Sequence, residues 1–207
     1  MVFKSRFVLA VGAHPDDIEL GCGGTLCTAV ERGTSVVAVF VTRGEQSGDP
    51  EVRVKESTDA LGVLGVKEVF FGDFPDTEVP SSRKVIDFLE QFYTKYKPDI
   101  VLTHTVNDIH QDHRQVGWVS ISAFRNVQKI LAYETPRVTS EFSPNYFVDI
   151  TGRVDSKWNA LKCHMSQKTK RYLGYESMVN LASFRGTQAG LRAAEAFEVV
   201  KYVETCL

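Results

Sequence analysis

Short apolar runs alternate along this chain with longer segments of helical periodicity, and this alternation restricts the fold more than any other feature. The runs at 7–12, 35–41, 67–71 and 100–103 have the length of β-strands, and a segment with apolar residues at helical spacing follows each of them. Strand–helix–strand connections of this kind produce parallel strands with helices on both faces of the sheet. We therefore predict an α/β protein, a Rossmann-like three-layer sandwich with a mostly parallel central sheet.

The same patterns give approximate bounds for the other elements. Helices are predicted at about 21–32, 50–64, 82–96, 112–130 and 151–163, and further strands at 131–133 and 146–150. Gly21, Gly23 and Gly24 lack the spacing of a phosphate-binding loop, so we expect them to allow close packing of the first helix against the sheet. The aromatic-rich segment at 172–184 fits a subunit interface and a buried core equally well.

Length and charge restrict the class of protein. The 207 residues suffice for one buried core and no linker-like stretch divides them, so a single domain at 1–207 is predicted. The formal net charge of -2, without any block rich in Lys and Arg, predicts no nucleic-acid partner. No apolar stretch reaches the roughly eighteen residues of a membrane span, so no membrane association is expected.

The start of the chain and its cysteines predict a cytoplasmic location. Residues 1–6 run directly into the first strand and leave no room for a signal peptide. The four cysteines lack metal-type spacing, which favours reduced thiols in a cytoplasmic protein. They are Cys22, Cys27, Cys163 and Cys206.

A histidine and two adjacent carboxylates follow the first strand, in the sequence His14-Pro15-Asp16-Asp17. Like charges so close together repel each other, and a bound cation relieves the repulsion. Adjacent aspartates point in different directions, so only one of them would face a metal beside His14. The other would be free to act as a base on metal-bound water. The alternative for this segment alone is a solvated acidic turn.

A second polar group, His110-Gln111-Asp112-His113, follows the run at 100–103. His110 and His113 are three residues apart, so on a first helical turn both can face one cavity. One could bind a metal while the other donates a hydrogen bond to negative charge that develops on a substrate. Asp112 could orient an imidazole, or simply stabilise the start of a helix.

Both polar groups come after strands of the same predicted sheet, and ligands of parallel sheets bind beyond the carboxyl ends of the strands. Two neutral imidazoles and one carboxylate are the ligands of a catalytic zinc that keeps one position open for water. The sequence therefore predicts a metal site at this edge, with Zn²⁺ favoured and iron(II) or cobalt(II) also compatible.

The segment 13–19, followed by Gly-Cys-Gly-Gly-Thr at 21–25, resembles the signature of the PIG-L/LmbE-like family of zinc-dependent N-acetylglucosaminyl deacetylases and related amide hydrolases. His110-x-Asp112-His113 matches the second motif of that family. Shorter similarities, such as Ala-Glu-Ala-Phe at 194–197, extend the resemblance over nearly the whole chain. The main departure is Ile18, where many members carry a glutamate.

The resemblance implies a role for each residue of the two motifs. The metal ligands would be His14, Asp17 and His113, with Asp16 as general base, His110 stabilising the tetrahedral oxyanion and Asp112 as an orienting partner. Arg53 would correspond to a family arginine near the substrate, although an isolated arginine on a helix usually lies at the surface.

The implied activity is removal of an N-acetyl group from an N-acetylglucosamine-type sugar or glycoconjugate by zinc-activated water. The resemblance also implies a homo-oligomer, either a trimer or a hexamer.

Two other functions fit parts of the sequence. A zinc amidase could act on a non-sugar amide, such as a thiol conjugate or an acylated antibiotic intermediate. A receiver-like module could accept phosphate at Asp73, which follows the third predicted strand. The receiver hypothesis leaves three histidines without a role. Arg43, after the second strand, is a further candidate for holding an anionic part of a substrate.

Overall fold

A seven-stranded sheet forms the centre of the protein, described over residues 7–204 by a computed structural model. The strands are β1 (Phe7–Gly12), β2 (Ser35–Phe40), β3 (Glu68–Phe71), β4 (Ile100–His104), β5 (Lys129–Tyr133), β6 (Tyr146–Asp149) and β7 (Ala194–Tyr202). Their order in the sheet is β3-β2-β1-β4-β5-β7-β6. The first five are parallel, and β7 runs antiparallel to both β5 and β6. The predicted mostly parallel α/β sheet is confirmed.

Six α-helices within the described residues cover the two faces of this sheet. They are α1 (Asp17–Glu31), α2 (Pro50–Val63), α3 (Arg83–Tyr96), α4 (Gln111–Ala123), α5 (Val154–Leu161) and α6 (Tyr175–Gln188). Successive residues of a strand point to opposite faces, so Leu9 and Val37 pack with α3 and α4, whereas Val8 and Val36 pack with the other four helices. The result is the predicted three layers.

The sheet grows outward from β1 in two directions, because β2 and β3 lie on one side of it and β4 and β5 on the other. β1 pairs directly with β4, with Ala10 opposite Leu102. Open α/β sheets bind ligands at such a reversal of strand order, beyond the carboxyl ends of the strands. The loops that follow Gly12 and His104 therefore lie side by side at the expected binding edge.

Several predicted helix bounds were wrong, beginning with α1, which starts at Asp17 instead of 21. α4 ends at Ala123 instead of 130, because the backbone turns at Phe124 and residues 129–133 pair with β4. A 3-10 turn occupies Thr151–Arg153, and α5 ends at Leu161 instead of 163. α6 and β7 were not predicted at all, and α6 combines buried and exposed apolar residues.

Two glycines of α1 allow the helix to lie against bulky side chains of its neighbours, as the sequence predicted. A Cβ atom at Gly21 would overlap the ring of Tyr133, and one at Gly24 would lie 2.7 Å from Ile150. The Tyr133 ring is fully buried, and its hydroxyl donates to the carbonyl of Val11 (2.8 Å). Neither neighbour is free to move away.

A buried carboxylate from β7 stabilises α1 at a kink. Cys22 has a non-helical backbone (φ −143°, ψ 18°), so a new helical segment starts after it. Glu195 accepts hydrogen bonds from the amides of Gly24 (2.9 Å) and Thr25 (2.7 Å), and Lys157 of α5 pairs with the same carboxylate (2.5 Å). Negative charge is stabilised at a helix N-terminus. One side chain thus joins α1, α5 and β7.

The described cysteines, Cys22, Cys27 and Cys163, are free thiols. The expectations about Cys206 and the segment 1–6 lie outside the described residues. Within residues 7–204, no helix combines the length and apolar character needed to cross a lipid bilayer.

Replacing Gly21 with alanine should destabilise the protein by about 1–3 kcal/mol, because the added methyl group meets the fixed Tyr133 ring. The melting temperature should fall by about 2–4 °C per kcal/mol in a chain of this size. The matched control is Gly62→Ala in α2, where no atom lies near the new methyl group and the melting temperature should not fall. Equal melting temperatures for both variants would contradict the packing argument.

Candidate active site

The two predicted polar segments meet at the carboxyl ends of β1 and β4. The loop after β1 carries His14 and leads into α1 at Asp17, and the loop after β4 leads into α4, whose first turn contains His113. The imidazole rings of His14 and His113 lie 5.3 Å apart between centroids. Residues distant in the sequence thus form one cluster because β1 and β4 are neighbours.

His14, Asp17 and His113 form a group that could hold a metal ion. One ligand atom from each lies within 4.8 Å of the other two. The Nε2 atom of His113 is 3.2 Å from Asp17 Oδ1, and Nδ1 of His14 is 3.2 Å from Asp17 Oδ2. Two imidazole nitrogens and one carboxylate oxygen match the donor set of catalytic zinc sites.

A carboxylate lies behind each imidazole of this group. Asp108 Oδ2 is 3.0 Å from Nδ1 of His113, which leaves Nε2 directed towards Asp17. Asp112 and Asp76 each place an oxygen 3.0 Å from Nε2 of His14. Carboxylates in such positions fix the orientation of metal-ligating histidines and raise their basicity.

The surrounding carboxylates favour positive charge between the rings. Burial opposes the charged imidazole, but the Asp17 and Asp108 carboxylates outweigh it and raise the pKa of His113 to about 9. Burial likewise opposes charge on Asp17, yet the rings of His113 and His104 hold its pKa well below its usual value. A site that stabilises imidazolium in this way also stabilises a divalent cation, so the donor set fits a metal such as zinc.

Asp16 is buried beside this group, and within residues 7–204 its side chain makes no capping hydrogen bond to α1. Its backbone has a φ of 113°, a left-handed conformation that is costly for aspartate. Burial raises the pKa of Asp16, against the opposing charge of Arg53. A buried carboxyl group with a raised pKa suits a general base that later returns its proton.

Arg53 is 1% exposed, so the expectation for an isolated helical arginine does not apply to it. Its Nη2 atom donates to the carbonyl of Pro15 and lies 3.3 Å from Asp16 Oδ2. Within residues 7–204, its Nε and Nη1 atoms have no hydrogen-bond partner. Arg53 therefore fixes the loop before α1 and keeps two donors for other groups.

His110 precedes α4 as its N-cap. Its Nδ1 atom accepts the amide N–H of Asp112 (3.2 Å). Burial and the neighbouring imidazoles of His113 and His14 lower its pKa, and in the neutral ring the proton is on Nε2 because Nδ1 accepts. His110 thus offers an N–H donor in its neutral form.

These side chains surround a cavity of about 260 Å³. The predicted site residues that line it are His14, Asp16, Asp17, Arg53, His110 and His113. Asp112 does not line the cavity; it lies behind His14, and its carboxylate also accepts the amides of Thr77 (2.7 Å) and Val79 (3.1 Å).

Several residues of the site were not found from the sequence. Asp108 precedes His110 by two residues, so it could have been recognised from the sequence as part of the second motif. His104 ends β4 and stacks against His113 (4.1 Å between centroids). Asp76 and Lys170 belong to loops without a recognisable pattern, and only the fold brings them to the cavity.

The carboxylate of the receiver hypothesis lies at the surface. The Asp73 side chain is 82% exposed and pairs with Arg43 (2.7 Å). Neither residue lines the cavity. The geometry therefore supports neither Asp73 as the phosphate acceptor of a receiver-like module nor Arg43 as a residue that holds an anionic part of a substrate.

The fold and the site together define an α/β domain with a histidine–aspartate cluster that could hold a metal, at the reversal point of its sheet. The family model described as PIG-L: GlcNAc-PI de-N-acetylase matches residues 9–124. The chain belongs to this family, as the resemblance of its two motifs predicted.

Individual relatives cover most of the chain. It is 36% identical over 171 residues to the uncharacterized deacetylase YaiS of Escherichia coli (strain K12), which covers 79% of this chain and 92% of that protein. It is 30% identical over 220 residues to diacetylchitobiose deacetylase of Thermococcus kodakarensis, with coverage of 93% and 82%. The solved N,N'-diacetylchitobiose deacetylase of Pyrococcus horikoshii superposes with a TM-score of 0.85 at 28% identity, over 95% of this chain and 84% of that one.

Asp108→Asn should weaken zinc binding by about 10- to 100-fold, because the carboxylate that orients His113 is lost. Competition with a chromophoric chelator measures the affinity. The control is Asp73→Asn, which removes an exposed carboxylate outside the cavity and should leave the affinity unchanged. Wild-type affinity in Asp108→Asn would exclude an orienting role for this residue.

Proposed function

We propose that this protein is a zinc-dependent hydrolase that removes the N-acetyl group from an N-acetylglucosamine-type sugar or glycoconjugate. The observation that carries the proposal is the group of His14, Asp17 and His113, whose ligand atoms lie within 4.8 Å of one another beside the buried carboxyl group of Asp16. The diacetylchitobiose deacetylases among its relatives support an acetylated amino sugar as substrate.

Amide hydrolysis requires a stronger nucleophile than water and a more reactive carbonyl group. A zinc ion held by His14, Asp17 and His113 would lower the pKa of water to about 7 and polarise the acetyl carbonyl. Asp108 and Asp112 act as positioning residues, since each fixes the ring of one histidine.

Asp16 moves the proton. A carboxyl oxygen of Asp16 takes a proton from the attacking water and passes it to the amine nitrogen as the carbon–nitrogen bond breaks, which releases acetate and the free amino sugar. Arg53 holds the Asp16 carboxylate through Nη2. Burial keeps the pKa of Asp16 above that of an ordinary aspartate, which helps it to hold the proton between the two transfers.

His110 stabilises the negative oxygen that develops on the acetyl carbonyl. Its Nε2–H is free to donate because Nδ1 is occupied by the amide of Asp112. The donor does not depend on a protonated ring. A fixed donor of this type lowers the barrier because it needs no rearrangement as charge develops.

The broader parts of the proposal are a cytoplasmic location and a homo-oligomeric assembly, a trimer or hexamer. Free thiols at all three described cysteines are typical of a reducing compartment.

The alternative activity is a zinc amidase acting on a non-sugar amide or a thiol conjugate. A panel of N-acetylated sugars and non-sugar conjugates, assayed for release of a primary amine by the zinc-loaded protein, distinguishes the two. Amine release from non-sugar conjugates alone would overturn the sugar assignment.

Asp16→Asn should retain zinc and lose about 10²- to 10⁴-fold in kcat, because the amide cannot accept the proton. His113→Ala should lose both zinc and activity. Metal content by atomic emission and amine release are measured on the same preparations. Full activity in zinc-loaded Asp16→Asn would contradict its role as the base.

His110→Ala should retain zinc and lose about 10²- to 10³-fold in kcat, because one donor to the developing oxyanion is removed. The KM should change much less, since the donor acts mainly on the transition state. An increase in KM with unchanged kcat would instead assign His110 to ground-state binding.

A further inference from the structure

Three buried polar side chains lie next to the contact between Asp16 and Arg53 and have no part in the chemistry proposed above. They are Glu19 of α1, Ser57 of α2 and His164, which lies between α5 and α6. Each is at most 2% exposed, and none is among the described residues that line the active-site cavity. Burial of polar groups is unfavourable unless they are paired, so their contacts indicate what they contribute.

The three side chains form one hydrogen-bonded group. Ser57 Oγ donates to Glu19 Oε1 (2.6 Å), and Nε2 of His164 lies 3.0 Å from the same oxygen. Burial opposes charge on the imidazole, but the Glu19 carboxylate outweighs it and raises the pKa of His164. The Nε2–H of His164 then donates to Glu19 in a buried ion pair. We call Glu19, Ser57 and His164 the supporting group.

The supporting group forms a second link between α1 and α2. Ser57 follows Arg53 by four residues, so both side chains lie on one face of α2. Glu19 follows Asp16 by three residues at the start of α1. The first link joins Arg53 Nη2 to Asp16 Oδ2 (3.3 Å), and the second joins Ser57 Oγ to Glu19 Oε1 (2.6 Å). The two links are therefore one helical turn apart on α2.

The link between Arg53 and Asp16 depends on the position of α2. Within residues 7–204, Nε and Nη1 of Arg53 have no hydrogen-bond partner, and Nη2 alone joins the guanidinium to Pro15 and Asp16. A long side chain held at one of its three nitrogen atoms takes its position largely from the helix that carries it. The placement of α2 against α1 thus determines where Arg53 holds the Asp16 carboxylate.

Stability alone does not account for the ion pair of Glu19 and His164. The cost of removing both charges from water offsets most of their attraction, so an apolar pair of the same size would stabilise a core equally well. Among the described residues, Glu19 Oε2 and His164 Nδ1 have no partner, which adds to this cost. A directional contact does, however, fix the relative positions of the elements that it joins. Here it joins α1 to the segment after α5.

We propose that Glu19, Ser57 and His164 are positioning residues for the general base, because they fix α2 against α1 where Arg53 holds Asp16. This inference rests on the proposed function, which assigns the proton transfer to Asp16. The supporting group lies outside the cavity and does not touch the substrate. Its removal should therefore lower kcat much more than it changes KM.

The test removes the link on the side of α2 with Ser57→Ala. In the zinc-loaded full chain, kcat for deacetylation of N-acetylglucosamine should fall about tenfold, the effect of one hydrogen bond to a charged group, while KM changes by less than about twofold. Glu19→Gln, which keeps the shape of the side chain and removes its charge, should lower kcat at least as much.

The matched control is Thr28→Val, which removes another buried hydroxyl group from α1. The Thr28 hydroxyl donates to the carbonyl of Gly24 (2.9 Å) and has no contact with the supporting group. The control should lower the melting temperature, as Ser57→Ala does, and keep the wild-type kcat. An equal loss of kcat in Thr28→Val and Ser57→Ala would overturn the proposal.

A double-mutant cycle separates positioning from a general loss of structure. In the Arg53→Gln background, the contact that the supporting group fixes is already absent, so Ser57→Ala should change kcat by less than about twofold. A fall of the same size in both backgrounds would show that Ser57 does not act through Arg53. Wild-type kcat in Ser57→Ala would likewise exclude a positioning role.

A second measurement does not depend on hydrolysis. The Nε–H of Arg53 is buried, so its proton should exchange slowly with water, and its ¹H–¹⁵N NMR signal is assigned by its absence in Arg53→Gln. Ser57→Ala and Glu19→Gln should speed this exchange about tenfold, and Thr28→Val should leave it unchanged. If the wild-type protein hydrolyses no N-acetylated sugar, the proposed function fails. Faster exchange would still support the positioning of Arg53, and unchanged exchange in both variants would exclude it.

Discussion

β1 and β4 lie side by side although most of the first half of the chain separates them, because the sheet extends from β1 in both directions. Both strands end at the same edge of the sheet, and each is followed by a loop that contains histidine and aspartate. Without this pairing, His14 and His113 would have no common neighbour. The helices α3 and α4 on one face, and the other helices on the opposite face, fix the register of the two strands through a core formed by alternate residues.

Negative charge determines the behaviour of the site that this pairing creates. Asp17 lies between two imidazoles, and Asp108 and Asp112 lie behind them. Such a concentration of buried carboxylates is unfavourable unless positive charge is placed among them. Asp16 differs from the others because Arg53 holds it, and its strained backbone keeps it out of the helix. Two adjacent aspartates thereby acquire different environments.

The sequence was informative where a local pattern reflects burial or chemistry. The apolar runs predicted the five parallel strands, and the two motifs named five of the residues that line the active-site cavity. The end of α4 was misplaced because apolar spacing continues past Ala123 into β5, and periodicity alone does not separate a helix from a strand there. Asp76 and Lys170 could not be predicted, because only the folded chain brings their loops to the site.

The contact of Glu195 with α1 has a consequence for the order in which the chain becomes structured. The carboxylate that stabilises α1 at its kink, where it accepts the amides of Gly24 and Thr25, belongs to β7, and its partner Lys157 belongs to α5. During synthesis these groups leave the ribosome long after both histidine–aspartate motifs. We therefore expect a truncated polypeptide that ends before β7 to contain every candidate ligand and still lack a rigid binding geometry.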